Sequence, residues 1–209
     1  MATVPCVPQP HDLIWGHVPA EALANAPAWV APVLAAGRPV VVRRGEALEG
    51  FITIGVRGWG RAQRFAAHLR LDSITRCISP EQIRAAAGRS VYPAFNALAA
   101  LTPCLDEMGF AWGPTGGVAY QRVTGLEVLH PGSDLDLLIR MPEPLVRARA
   151  LAIFRQFDRF DCGVDAQLET PCGAVALREW AGASRRVLLK RQGGAKLVID
   201  PWDPLEAFG

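Results

Sequence analysis

The run Asp134-Leu135-Asp136-Leu137-Leu138-Ile139-Arg140 constrains the fold of this chain more than any other segment. It is short and strongly apolar between its acids, and it reads as a strand over 134–140. Side chains alternate along a strand, so Asp134 and Asp136 share one face, roughly 6–7 Å apart at about 3.3 Å per residue. Leu135, Leu137 and Ile139 turn to the other face and anchor the strand in a core. Two carboxylates on one face repel unless something positive sits between them. Hard cations such as Mg²⁺ take oxygen ligands, often one or two carboxylates plus substrate phosphates. In two-metal sites, ions about 3.5–4 Å apart clamp the attacking and leaving oxygens of an in-line displacement. The pair therefore points to phosphoryl chemistry on a strand. A bare D-x-D reads equally well as two surface acids, and metal-binding glycosyltransferases share it. Haloacid-dehalogenase phosphatases want Thr or Val soon after the second acid, where Leu137-Leu138 stands here.

The context of the pair narrows the choice. Upstream lies Gly113-Pro114-Thr115-Gly116-Gly117, a Gly-rich turn whose backbone N–H groups can approach a triphosphate. Polymerase-β-type nucleotidyltransferases add a third carboxylate from a neighbouring strand. Val164-Asp165-Ala166-Gln167-Leu168-Glu169 alternates apolar and polar residues, which puts Asp165, Gln167 and Glu169 on one polar face. Asp165 is the candidate third carboxylate and metal ligand beside Asp134 and Asp136, with Glu169 in reserve.

The rest of the chain supplies an α+β layout, a mixed sheet with packed helices. Strands are expected at 39–44 and 50–56, with apolar spacing nearer helical from Arg61 to Leu71. Ser79-Pro80-Glu81-Gln82 is a helix-start signature, with a helix expected from Pro80 to about Gly88 and a second from Ala94 to Leu101. Val118–Val123 reads as a strand and Leu126–Leu129 as its return. Pro144 is expected to open a long helix through Phe160, and Val187–Lys190 with Lys196–Ile199 suggests a terminal hairpin. The domain division expected is a smaller α/β region over 1–88, for carrier or substrate binding, and a catalytic domain over 89–209.

Among 209 residues half are hydrophobic and the formal net charge is +2, too mild a basic balance for a general nucleic-acid binder. No segment reaches the roughly 18 uninterrupted apolar residues of a membrane span. Five cysteines without any C-x-x-C pair argue against a disulfide framework and a structural zinc site, and the chain reads as cytoplasmic. The four histidines lack ligand spacing; His130 near the acids reads as a loop residue, and the six tryptophans as core.

Taken together, Trp112–Gly117, Ser133–Ile139, Val164–Pro171 and Gly173–Leu177 resemble the malonate decarboxylase holo-acyl-carrier-protein synthases, also called phosphoribosyl-dephospho-coenzyme A transferases. The resemblance extends to Pro10–Trp15, Arg38–Arg44, Gly55–Gly58, Arg61, Gln63 and Arg64, Val187–Lys190 and Asp200–Trp202, nearly the whole chain. It implies a polymerase-β-like nucleotidyltransferase fold. It also implies transfer of phosphoribosyl-dephospho-coenzyme A from triphosphoribosyl-dephospho-coenzyme A to a serine of the acyl-carrier subunit of malonate decarboxylase, with loss of diphosphate. The family's catalytic aspartates fall on Asp134 and Asp136, and Mg²⁺ or Mn²⁺ is the implied cofactor. One departure is visible: such enzymes usually carry Gly-Ser in the upstream turn, where this chain has Gly116-Gly117.

Candidate phosphate-binding residues are Gly116, Gly117, Ser133, Arg57, Arg61, Arg64 and Lys190; the arginines suit bidentate phosphate contacts or an acidic carrier surface. Each also reads as an ordinary surface or turn residue. Two other functions fit the same motifs: a nucleotidyltransferase using an ordinary nucleoside triphosphate, and a non-catalytic module that binds the carrier.

Overall fold

A computed structural model describes residues 7–60, 62–84 and 88–208. The chain forms two compact units, one running to Ser79 and including Thr124–Val128, the other made of Pro80–Val123 and Leu129–Gly209. The border expected at residue 88 thus lies inside the second unit.

In the first unit, β1 (Leu13–Trp15), α1 (Val30–Ala35), β2 (Val40–Val42), β3 (Phe51–Arg57), β4 (Arg64–Arg70) and β5 (Arg76–Ile78) follow in chain order. The five strands form one antiparallel sheet in the order β4-β3-β2-β1-β5. Ile14, Val30, Val33, Val42, Ile54, Val56 and Leu69 make its core. The helical spacing expected from Arg61 to Leu71 is corrected here. From Arg64 onward the segment is a strand paired with β3 along its length, with Ala67 and Leu69 inward and Arg64, Ala66, His68 and Arg70 outward. That period of two follows from pairing, which local spacing does not reveal.

The second unit contains α2 (Pro93–Glu107), β6 (Trp112–Pro114), α3 (Gly116–Thr124), β7 (Leu135–Arg140), α4 (Arg147–Phe154), β8 (Val164–Thr170), β9 (Gly173–Ala176), α5 (Leu177–Ala181), β10 (Val187–Arg191), β11 (Gly194–Val198) and α6 (Pro204–Phe208). The sheet order is β11-β10-β9-β8-β7-β6, with β7 and β8 parallel and the other neighbours antiparallel. A parallel pair needs a crossover, which α4 supplies. Leu135, Leu137 and Ile139 of β7 join Val164, Ala166 and Leu168 of β8, Val187 and Leu189 of β10, and Leu98, Leu101 and Leu105 of α2 in a single core. Trp180 and Trp202 pack edge to face, centroids 5.2 Å apart, and their indole N–H groups donate to the Leu145 and Met141 carbonyls.

Five more expectations are revised. The segment expected as a strand over 118–123 is the helix α3, and no strand forms over 126–129. Val118 and Tyr120 favour strands, yet Ala119 between them is buried as well, which an alternating strand does not allow. The helix expected from Pro80 is a single 3-10 turn over Pro80–Gln82, and residues 85–87 lie outside the described residues. α2 runs past Leu101 and through Pro103. The Thr102 hydroxyl donates to the Leu98 carbonyl there, and burial of Leu101 and Leu105 offsets the backbone bond that proline cannot make. The long helix expected over 144–160 is α4 plus a 3-10 turn at Phe157–Arg159. Val146 is extended because the preceding Leu145 carbonyl is held by Trp180. Among the described residues, no helix is long and apolar enough to cross a membrane.

Candidate active site

Strands β7 and β8 lie side by side with Leu135 opposite Val164 and Asp136 opposite Asp165. Neighbouring strands are about 4.8 Å apart and register partners point to the same face. Asp136 and Asp165 are therefore adjacent on the face opposite Leu135, Leu137 and the core. Asp134 stands just before β7, exposed, while Asp136 is half-buried. The Leu135 N–H donates to the Gly163 carbonyl at 2.8 Å, so the entry of β7 is pinned beside the entry of β8.

Two glycines make room for the acids. A Cβ on Gly163 would lie 2.7 Å from Asp134 Oδ1, and one on Gly116 would lie 2.1 Å from Asp136 Oδ2. Gly116 also has φ +60°, a left-handed conformation that glycine adopts without steric cost. The Asp136 carboxylate therefore lies directly against the start of α3, where the first-turn N–H groups of a helix have no intrahelical partners. Backbone bonds lock this approach: the Thr115 N–H donates to the Asp136 carbonyl at 2.8 Å, and the Ala119 N–H to the Thr115 carbonyl at 3.2 Å. Thr115 is itself buried, 4% exposed, so it is poorly placed to replace the serine hydroxyl missing from the turn.

The reserve acid lies elsewhere. Glu169 is the register partner of Arg140, four residues past Asp165, or about 13 Å along the strand. Arg140 is also bound to Glu81 (Nε–Oε1 2.6 Å), which ties the Pro80 turn to this end of β7. Lys190 is exposed on β10 and pairs with Ala174, itself the partner of Glu169. It belongs to the Arg140–Glu169 row and not to the Asp136–Asp165 row. The Ser133 hydroxyl accepts the His130 N–H at 3.0 Å, and His130 Nδ1 accepts the Gly132 N–H at 3.2 Å. Both side chains thus close the turn that leads into Asp134. The candidate arginines belong to the first unit. Arg57 and Arg64 are register partners at the turn end of the β3–β4 hairpin. Arg57 Nη2 donates to the Val128 carbonyl, and Arg64 Nη1 to the Gln63 carbonyl at 3.0 Å. Arg61 lies outside the described residues.

Three neighbours of the acids were not singled out from sequence. Gly163 is one; a glycine immediately before a strand that ends beside an acid was its only signal. Cys162 precedes it, and its thiol is pushed above its usual pKa first by burial and then by the negative charge of Asp134. Arg178, in α5, places Nη1 3.8 Å from Asp165 Oδ1. No local pattern marks Arg178, because its approach depends on how β9 pairs with β8.

Asp134, Asp136 and Asp165 offer hard oxygen donors where the central strands β7 and β8 begin. Among the described residues, no three His, Cys, Asp or Glu side chains converge closely enough to hold a metal ion by themselves. A set of hard carboxylate oxygens is the donor type that Mg²⁺ takes, together with substrate phosphates or water. It does not fit a closed structural metal cage.

Comparisons with known proteins cover almost the whole chain. The model of the phosphoribosyl-dephospho-CoA transferase MdcG C-terminal domain matches residues 82–201, and that of the MdcG N-terminal domain residues 9–80. Proteins called phosphoribosyl-dephospho-CoA transferase are similar along their length. That of Pseudomonas putida (strain W619) is 54% identical, covering 95% of this chain and 97% of its own. That of Azotobacter vinelandii is 52% identical over 96% and 97%, and that of Pseudomonas aeruginosa 48% over 93% and 94%. No solved structure gives a significant match. With both domain models matched in order and relatives above half identity end to end, the chain belongs to the phosphoribosyl-dephospho-CoA transferase MdcG family.

Proposed function

We propose that this enzyme transfers the phosphoribosyl-dephospho-coenzyme A group from triphosphoribosyl-dephospho-coenzyme A to a serine of the acyl-carrier subunit of malonate decarboxylase. The observation that carries the reading is the Asp136–Asp165 register pair with Asp134 beside it, set against the glycine start of α3. Family membership supplies the group transferred. The carrier serine Oγ attacks the α-phosphorus of the donor, an Oγ–P bond forms, and the bond from that phosphorus to the bridging oxygen of the diphosphate breaks. The hydroxyl proton passes to Asp165, which shares a face with Asp136, and diphosphate leaves with the bond electrons. Asp134 and Asp136 would hold Mg²⁺ or Mn²⁺, which when bound neutralises charge on the phosphates. The first-turn N–H groups at Gly116 and Gly117 face the same anionic oxygens in place of the absent serine.

Such chemistry is almost entirely positioning and charge stabilisation; the acids would supply the positioning and a bound cation the charge. We also read the chain as cytoplasmic, a reading that goes with five scattered cysteines and no C-x-x-C pair. The reading is tested by following diphosphate release with purified enzyme, Mg²⁺, apo carrier subunit and either the triphosphoribosyl donor or ATP. Release that requires both the carrier and the triphosphoribosyl donor is expected. Equal or faster release with ATP would replace this reading by an ordinary nucleotidyltransferase, and no release with either donor would leave only a carrier-binding role.

A further inference from the structure

We infer that Arg178 is the side chain that grips the departing diphosphate, an assignment that rests on the phosphoryl-transfer reading above. Ala176 on β9 is the register partner of Gln167 on β8. The chain leaves β9 after Ala176 and turns into α5, whose second residue, Arg178, brings Nη1 to 3.8 Å from Asp165 Oδ1. Asp136 thus has Asp165 beside it, and Asp165 has Arg178: two acids and then a cation.

The contact between Arg178 and Asp165 has the character of a resting position. Nη1 and Oδ1 are 3.8 Å apart, beyond hydrogen-bond distance, and both side chains are more than half exposed, at 63% and 58%. An exposed pair of that length adds next to nothing to stability, so its exchange for a phosphate costs little. The other arginines of this unit with assigned contacts are committed to protein groups. Arg140 binds Glu81, Arg147 caps the Trp180, Gly182 and Arg185 carbonyls, and Arg191 donates to the Ala207 carbonyl. Arg178 is exposed beside Asp165, and its guanidinium is a planar fork of donors that binds phosphate oxygens two at a time.

A need for such a group is visible on the same face. The upstream turn lacks a serine, Thr115 is buried, the Ser133 hydroxyl is engaged in its own turn, and Lys190 lies in the row about 13 Å away. A leaving diphosphate gains negative charge at the bridging oxygen as the bond breaks, and a guanidinium beside Asp165 balances it.

The test uses inorganic diphosphate with Mg²⁺ as the probe, measured as product inhibition and by titration calorimetry on wild type, Arg178→Ala and Arg178→Lys. Arg178→Ala should weaken diphosphate at least tenfold at unchanged melting temperature, with Arg178→Lys between it and wild type. Binding within twofold of wild type for Arg178→Ala overturns the assignment. Should Arg178 serve only to position Asp165, its removal would change nothing further in an Asp165→Asn background; the assignment requires the same tenfold loss there. Asp136→Ala separates the two levels of the argument. If that variant still transfers, the underlying reading fails; if it is inactive while Arg178→Ala binds diphosphate normally, only the Arg178 assignment fails.

Discussion

Replacing Gly116 by alanine perturbs the site at a single atom whose consequences follow from the structure. The residue has φ +60°, where an L side chain costs about 1–2 kcal/mol. The new Cβ would fall 2.1 Å from Asp136 Oδ2, although Cβ atoms essentially never approach within 3.0 Å of another heavy atom. The carboxylate must therefore retreat by about 0.9 Å, the gap between those two distances, or α3 must move. A misplacement of about 1 Å in a reacting constellation costs on the order of 10²-fold in rate. Gly109 provides the matched control: φ +74° with nothing within 4 Å of its would-be Cβ. Urea denaturation should show Gly109→Ala losing about 1–2 kcal/mol and Gly116→Ala at least as much. In the transfer assay, Gly109→Ala keeps near-normal turnover while Gly116→Ala falls by about 100-fold. Equal turnover in the two variants would refute the claim that the approach of α3 positions Asp136.

Asp165→Asn should lower transfer by about two orders of magnitude, and Glu169→Gln should stay within a few-fold; a reversed order would move the third carboxylate to the Arg140 row. The Cys162 thiol, raised by burial and by Asp134, stays protonated at neutral pH. Removing that charge in Asp134→Asn lowers the thiol pKa and increases thiolate, so iodoacetamide should label Cys162 faster near pH 8; unchanged or slower labelling would contradict the placement. Breaking the half-buried Arg140–Glu81 pair with Arg140→Met should cost about 1–3 kcal/mol in chemical denaturation, because Glu81 loses its partner. A cost near zero would show that the pair does not hold the Pro80 turn.

The strands that carry or adjoin the acids at 134, 136 and 165 were legible in the sequence, one as a short apolar run and the other by its local alternation of apolar and polar residues. Their pairing was not. The parallel register that sets Asp136 beside Asp165 depends on the crossover through α4, and no spacing along the chain encodes it. For the same reason the sequence leaves the choice between Asp165 and Glu169 open, while the register sets Asp165 beside Asp136 and Glu169 beside Arg140. The strand expected over 118–123 suits the β preference of Val118 and Tyr120, but the backbone turns at Gly116 and buries Ala119 too. β4 was obscured in the opposite sense, since Phe65, Ala67 and Leu69 are separated by residues of mixed polarity and only pairing with β3 makes their alternation plain. Lys190 was drawn into the site by its place at a strand end, which says nothing of the row it occupies.

The central claim, that these three carboxylates drive attachment of a phosphoribosyl-dephospho-coenzyme A group to a carrier serine, is tested most directly by intact-mass analysis of the carrier subunit. The apo carrier is incubated with Mg²⁺, the triphosphoribosyl donor, and wild-type or Asp136→Ala enzyme, each verified as folded. The account predicts that wild type adds one phosphoribosyl-dephospho-coenzyme A group to a single serine and that Asp136→Ala adds none. Loading by Asp136→Ala at a rate near wild type would contradict it.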